Sequence, residues 1–466
     1  MARKEPGDQI FQDFKNAQRP VDVKVEELEK IVHDTRLQKL MGELKDVTKW
    51  GPDENYMYKN MQAVLNSTKD TGIIDQVKGL MDNIKSSMPQ IKYVVQCGIG
   101  GSELGASALI YATMHNSQNQ RRNKGIEYFP ITSLNNDHIA RIIARIDPAK
   151  TLVLKATRSN TTMETLTAFD VFAAHLKERL GDGYNENCVA IIGKDKEKEA
   201  TDAGYHFLGI EPQMSGRFTA FHSANLLTMY AMGVDIDRFH EGGEHMLKKC
   251  VEGSTLDSNP ALEQAANIYL LNTTRGKMVL NAGVFSPDLV KYGDWLGQLI
   301  EESLVHRKDI ALLTKTSELS NKAHSYMQGW LEGANVYLHQ FVFPIGNHEK
   351  EIIADKQTGR TLTDTEFAEY KGIATSLANA GRPSYTTILS SINENALGQM
   401  MARDMVTTMM LGELYGLRKE FIGGKVTDFG YLNQPGVEAY KIVMKGELKS
   451  LGNLQEQIAD VRAGFE

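Results

Sequence analysis

Two short stretches carry residue types that can grip an anion. The first lies within 93–115, YVVQCGIGGSELGASALIYATMH. Tyr93, Val94 and Val95 favour a buried strand, and Gly98, Gly100 and Gly101 allow a tight turn. Ser102 is a good helix N-cap, and Leu104, Ala108, Leu109 and Met114 then give one apolar helical face. Free backbone N–H groups at such a helix start suit a phosphate or a similar anion. An ordinary strand–helix turn is the competing reading. A dinucleotide fingerprint is excluded, because Glu103 holds the third glycine position and its carboxylate would oppose a pyrophosphate. The second stretch runs Thr157, Arg158, Ser159, Asn160, Thr161, Thr162, Met163, Glu164. Its four hydroxyls and one guanidinium make a cradle for a tetrahedral oxyanion. Thr161 and Glu164 also have the spacing of a capping box, but a cap needs one hydroxyl and not four.

Both stretches fall where a strand gives way to a helix, the edge at which open α/β sheets bind ligands. Strand-like runs at 93–97, 127–131, 151–156 and 188–193 alternate with helical runs at 102–115, 137–146 and 161–180, and a helix at 217–232 follows. That alternation predicts a parallel sheet with helices on both faces. Gly242, Gly243, Gly253 and Pro260 make 241–260 read as a junction. A second alternating region contains helix 261–274, strand 277–283, helix 288–304, strand 310–313, a helical stretch 321–339, strand 385–391 and helix 394–417. The expected fold is α/β: two tandem doubly wound parallel-sheet domains, 91–240 and 260–432. A polar helical segment, 1–90, precedes them and a C-terminal helix, within 433–466, closes them.

The totals narrow the function classes. The chain of 466 residues is long enough for two or three domains. A formal net charge of -7 gives no reason to expect nucleic acid or an anionic membrane as partner. The three cysteines, Cys97, Cys188 and Cys250, are too widely spaced for a disulfide framework or a zinc site. The first residues lack an apolar signal region and no run reaches the length of a membrane span, so a reducing cytoplasm is expected.

Taken in order, five segments resemble the glucose-6-phosphate isomerase family. Gly98 to Gly105, GIGGSELG, is similar to its first sugar-phosphate loop, and the 157–164 loop resembles its phosphate loop. Ser215-Gly216-Arg217-Phe218-Thr219 resembles its arginine signature. Gln328-Gly329-Trp330-Leu331-Glu332-Gly333 resembles a segment of its bacterial members, and Asn433-Gln434-Pro435-Gly436-Val437-Glu438-Ala439-Tyr440-Lys441 its closing motif. The departures are Arg158 for a lysine, Ser215 for a glycine, Thr219 for a serine and Leu432 for an aromatic residue. The resemblance implies two sugar-isomerase (SIS) domains, an aldose–ketose isomerase that uses no cofactor and no metal, and a homodimer with shared active sites.

On that resemblance Gly101, Ser102, Thr157, Arg158, Ser159, Thr161 and Thr162 hold the C6 anion, Gln434 binds sugar, and Gln328, four residues before Glu332 on one helical face, binds sugar or positions the base. Glu332 is the base that moves a proton between C1 and C2. Arg217 holds the enediolate, and His348 and Lys441 open the ring; His324 and His339 are expected to be structural. Glucose 6-phosphate and fructose 6-phosphate are the expected substrate pair. The exchange of lysine for the planar fork of Arg158 keeps a 6-sulfonate pair, sulfoquinovose and sulfofructose, open. A non-catalytic sugar-phosphate sensor is the third reading; it would need the loops but not the base.

Overall fold

The computed structural model describes residues 7–13, 23–45, 72–115, 117–123, 125–211, 214–346, 349–422, 425–428, 430–432 and 435–464. Two five-stranded sheets organise it. The first consists of β2 (Tyr93–Cys97), β3 (Glu127–Ile131), β4 (Thr151–Thr157), β5 (Cys188–Gly193) and β6 (His206–Ile210). They lie in the order β3-β2-β4-β5-β6 and every neighbouring pair is parallel. Side chains alternate between its two faces. Val94, Leu152, Leu154, Val189 and Ile191 join the main core. Val95, Cys97, Val153 and Cys188 pack instead on Ile142, Phe169, Phe172 and Leu176 from helices across the other face. Both faces of the central strands are therefore covered, which explains why β5 and most of β2 and β4 read as apolar runs; the edge strand β6 was not among the expected strands. The chain switches direction across the sheet between β2 and β4, so the loops that follow those two strands meet at the crevice.

The second sheet has the order β1-β12-β9-β7-β8. Its strands are β7 (Val279–Val284), β8 (Leu313–Glu318), β9 (Tyr337–Pro344) and β12 (Ser384–Leu389), all parallel, with the short hairpin β10 (Ile353–Asp355) and β11 (Arg360–Thr361) inserted outside the sheet. The edge strand β1 (Ile10–Asp13) runs antiparallel to β12, with Ile10 opposite Leu389 and Asp13 opposite Thr386. The segment expected to be wholly helical thus contributes a strand to the far sheet.

Four further expectations change. The second strand of this sheet is Leu313–Glu318 and not 310–313; Thr, Lys, Thr and Ser fill it because an edge strand need not be apolar. The helix begun at Leu319 ends at Glu332 and a strand follows from Tyr337. The glycine-rich 241–260 stretch, expected to be a junction, is helical over its first half. Ile236–Glu252 is one continuous helix. Its Gly242 lies against the helix Glu394–Leu414, where an added Cβ would come within 2.1 Å of the Asn395 carbonyl oxygen. Glycine serves close helix contact there, not a turn. After residue 434 there are two helices, Pro435–Lys449 and Leu451–Ala463. No helix among the described residues is long and apolar enough to cross a membrane.

Candidate functional site

At the crevice of the first sheet, β2 runs into the turn Gly100–Ser102 and the helix Leu104–Thr113. Gly100 has φ +63°, a backbone that L side chains rarely adopt. A buried polar chain fixes this turn from below. Tyr128 donates its hydroxyl to Gln96 Oε1 (2.6 Å), and Gln96 Nε2 donates to the Ser102 carbonyl (2.7 Å). Ser107, next to Tyr128, donates to the Glu103 carboxylate. Burial holds the Glu103 carboxyl above the usual carboxylate range.

The turn Gly216–Phe218 packs directly on this one. Asn225 Nδ2 donates to the Gly101 carbonyl (3.1 Å) and to the Thr219 carbonyl (2.9 Å), while its Oδ1 accepts from the Ala106 N–H (2.8 Å). The seam leaves no room for a side chain: a Cβ on Gly101 would lie 2.0 Å from the Gly216 carbonyl carbon. This close approach brings Arg217 to the crevice. Its guanidinium is only 1% exposed. Nε donates to Ser303 Oγ (2.7 Å), Nη2 donates to the Tyr431 carbonyl (2.7 Å), and Nη1 lies 3.6 Å from Glu302 Oε1.

Glu302 comes from the helix Val290–Leu304. Tyr292, Trp295, Leu296, Leu299 and Ile300 of that helix are buried at helical spacing. The opposite stripe, Asp294, Gly297, Gln298, Glu301 and Glu302, faces a cleft of about 780 Å³. Ile99 to Ser102, Thr162, Gly216, Arg217, Thr314 and Thr316 of β8, and Val437, Tyr440 and Lys441 of the helix Pro435–Lys449 complete the wall. Tyr440 also donates its hydroxyl to Glu164 Oε1 (3.1 Å), which ties that helix to the start of Met163–Leu180. The cleft therefore offers backbone N–H groups, two hydroxyls from the sugar loops, two cations and three carboxylates. Such a set binds an anionic polyol and moves protons on it. Among the described residues no His, Cys, Asp and Glu group is arranged to hold a metal ion.

Of the residues singled out in the sequence, Gly101, Ser102, Thr162, Arg217 and Lys441 line this cleft together. The rest of the hydroxyl loop does not. Thr157 is buried and donates to Thr162 Oγ1 (3.3 Å). Ser159 and Thr161 are exposed and bond each other (2.9 Å). Arg158 turns its guanidinium to the Met214 carbonyl (2.6 Å). Asn160, between them, has φ 51°.

Glu332 and Gln328 stand elsewhere. Both are exposed on the helix Leu319–Glu332, Glu332 at its last residue, and neither lines the cleft. The carboxylate that the fold brings to Arg217 is Glu302 of the helix Val290–Leu304, whereas Glu332 stands outside the cleft. His348 and Gln434 lie outside the described residues. His324 is exposed. His339 is fully buried on β9, where its Nδ1 meets Asn281 Nδ2 at 3.1 Å and burial lowers its pKa to about 3.

The sequence signal for Glu302 lies in Gly293 and Gly297. One turn apart, they let Thr316 and Thr314 of β8 reach the helix beside the carboxylates.

Residues 43–421 match the model of the family described as phosphoglucose isomerase. The glucose-6-phosphate isomerase of Methanocaldococcus jannaschii is 28% identical over 353 residues, covering 75% of this chain and 82% of that protein. One from Thermus thermophilus is 27% identical over 405 residues, covering 84% of this chain and 90% of that protein. The structure of a glucose-6-phosphate isomerase from Chlamydia trachomatis shares the fold at TM-score 0.78 and 16% identity, with 92% of this chain and 87% of that one covered. With the two doubly wound sheets and the cleft between them described, the family match over most of the length settles the class: the chain belongs to the phosphoglucose isomerase family and is an aldose–ketose isomerase.

Proposed function

We propose that this protein interconverts glucose 6-phosphate and fructose 6-phosphate by ring opening and a cis-enediolate proton transfer. One observation carries the reading: Glu302 lies 3.6 Å from the buried Arg217 in a cleft floored by a glycine turn. In it, the backbone at Gly101 and Ser102 with the Ser102 and Thr162 hydroxyls hold the C6 phosphate. The free N–H groups of the helix Met163–Leu180, whose Thr162 cap makes no side-chain bond to them, add a positive end. Lys441 assists ring opening. Glu302 takes the proton from C2 and returns it to C1, and Arg217, held in place by Ser303 and Tyr431, offsets the charge on the enediolate oxygens. The sensor reading lacks a use for Glu302. The enzyme is read as a homodimer that completes each site with a histidine from its partner, on the family resemblance.

The test is turnover of fructose 6-phosphate by wild type and by Glu302→Gln. The variant keeps size and hydrogen bonding but accepts no proton, so kcat falls roughly 10³-fold while substrate binding changes little. Wild-type turnover in the variant would sink the assignment.

A further inference from the structure

Glu103 has found no use so far. It directly follows Ser102 in the turn that lines the cleft, a place where a carboxylate opposes a bound anion. Its surroundings show how the turn tolerates it. Glu103 is the N-cap of the helix Leu104–Thr113, yet its side chain caps nothing. The side chain is turned off the helix start, is 3% exposed and does not line the cleft. Its carboxyl takes a hydrogen bond from Ser107, one turn along the same helix. Among the described residues no cation pairs with it. Lys291 is the cation whose field reaches it, and Lys291 is already bound to Asp294 at 3.0 Å. A carboxylate here lacks both the water and the counter-ion that a buried charge requires, whereas the neutral acid requires neither.

We infer that Glu103 sets which anions the cleft accepts: as the neutral acid it lets the Gly100–Ser102 turn hold a dianionic C6 group, and as the carboxylate it repels that group. A monoanion is repelled half as strongly, because Coulomb energy scales with charge. For its substrate the inference rests on the isomerase reading above; for its anion it does not. The groups facing Glu103 come from three elements. Its own helix brings Ser107 and Tyr111, β3 brings Tyr128, and the helix Val290–Leu304 brings Lys291 and Asp294. Asn225, from the helix Ser223–Ala231, packs on the neighbouring Gly105 and is neutral. Burial holds the Glu103 carboxyl up and the Tyr128 phenol up with it, so both favour their neutral forms.

The experiment uses sulfate as the anion probe, because it stays a dianion over the whole range from pH 5 to 8.5, and methanesulfonate as the monoanion. The Glu103 carboxyl of the wild type is titrated by carbon-13 resonance with and without saturating sulfate. Binding and ionisation oppose each other, so sulfate is expected to move that titration up by about one pH unit, and the sulfate dissociation constant to rise about tenfold as Glu103 ionises. Methanesulfonate is expected to weaken only about threefold over the same range, half the energy giving the square root of the factor. Glu103→Gln carries the neutral acid's shape at every pH; in it both anions bind with affinities that stay within about twofold, and KM for fructose 6-phosphate loses the alkaline rise of the wild type. A carboxyl titration that sulfate does not move, or a KM profile identical in Glu103→Gln and wild type, overturns the inference. A wild type that shows the sulfate coupling but does not turn over fructose 6-phosphate counts against the isomerase reading and leaves the role of Glu103 standing.

Discussion

Gly101→Ala is expected to damage catalysis far more than its single methyl group suggests. The added Cβ would lie 2.0 Å from the Gly216 carbonyl carbon, 2.2 Å from its oxygen and 2.4 Å from the Arg217 nitrogen. All three are backbone atoms, so no side chain can rotate away. Ordinary contact begins near 3.4 Å, and the two turns must part by about 1.4 Å to reach it. That parting pulls on the Asn225 and Thr219 bonds to the Gly101 carbonyl. It also displaces Arg217 from Glu302. Overpacking of this kind costs about 3 kcal/mol, and a catalytic group misplaced by about 1 Å costs roughly 100-fold in rate. Thermal unfolding and a coupled assay on fructose 6-phosphate read both effects. The expected result is a Tm lower by roughly 5 °C and a kcat lower by roughly two orders of magnitude. Gly79→Ala is the control: Gly79 sits in the helix Gly72–Ser87 with nothing within 4 Å of an added Cβ, so about 1 kcal/mol of stability is gained and kcat stays put. A Gly101→Ala enzyme with wild-type kcat would show that the seam between the turns does not hold Arg217 in register.

Three buried histidines make stability fall in acid. Burial lowers the pKa of His222 to about 4 and of His240 and His339 to about 3. The unfolded chain binds these protons from about pH 6.5 downward and the folded chain does not, so stability is complete above that pH and drains away below it, by about 1.4 kcal/mol per histidine per pH unit. Neither ring nitrogen of His240 has a hydrogen-bond partner; His240→Leu should reduce the proton uptake on urea unfolding at pH 5 by close to one, and an unchanged uptake would contradict its neutral burial. Tyr292→Phe removes the hydroxyl that donates to Asp404 (2.6 Å) inside the buried Arg403–Asp404 pair. The expected cost is about 2 kcal/mol by urea unfolding, with kcat for fructose 6-phosphate unchanged; an equally stable variant would mean that Arg403 alone satisfies Asp404.

Fold and site were legible to different degrees for physical reasons. Strands β2 and β5 ended where the sequence pattern put them, because strands buried on both faces spell mostly apolar runs bounded by breakers; the edge strand β3 ended there too, on its aromatic and β-branched residues. β8 was misplaced because an edge strand made of Thr, Lys and Ser carries no such pattern. The glycines of the helix Ile236–Glu252 misled, since close helix packing and a turn call for the same residue. The loop at Gly100 and Gly101 was readable as a site because only glycine tolerates that backbone and that contact. Glu302 was not: in the run Ile300-Glu301-Glu302-Ser303 it looks like an ordinary solvated helix end. What sets it apart is a guanidinium that arrives from 85 positions earlier, and sequence spacing does not reveal that. The hydroxyl loop stands beside the cleft. Only Thr162 of its four hydroxyls lines the cleft, the other three being spent on the loop's own hydrogen bonds.

The antiparallel strand β1 has a consequence for how the chain is made. Ile10 pairs with Leu389, and Asp8 just before it is bound by His245 and Lys249. At about 5–20 residues per second, a ribosome takes roughly 20–75 seconds to pass from one partner to the other. Throughout that interval the first sheet can assemble from neighbours in sequence, while β1 waits with its backbone unpaired. The second sheet is therefore sealed last, by a segment that left the ribosome well before the strand it pairs with. Stalled nascent chains cut short of β12 should leave residues 7–13 open to protease, and chains extended past it should protect them.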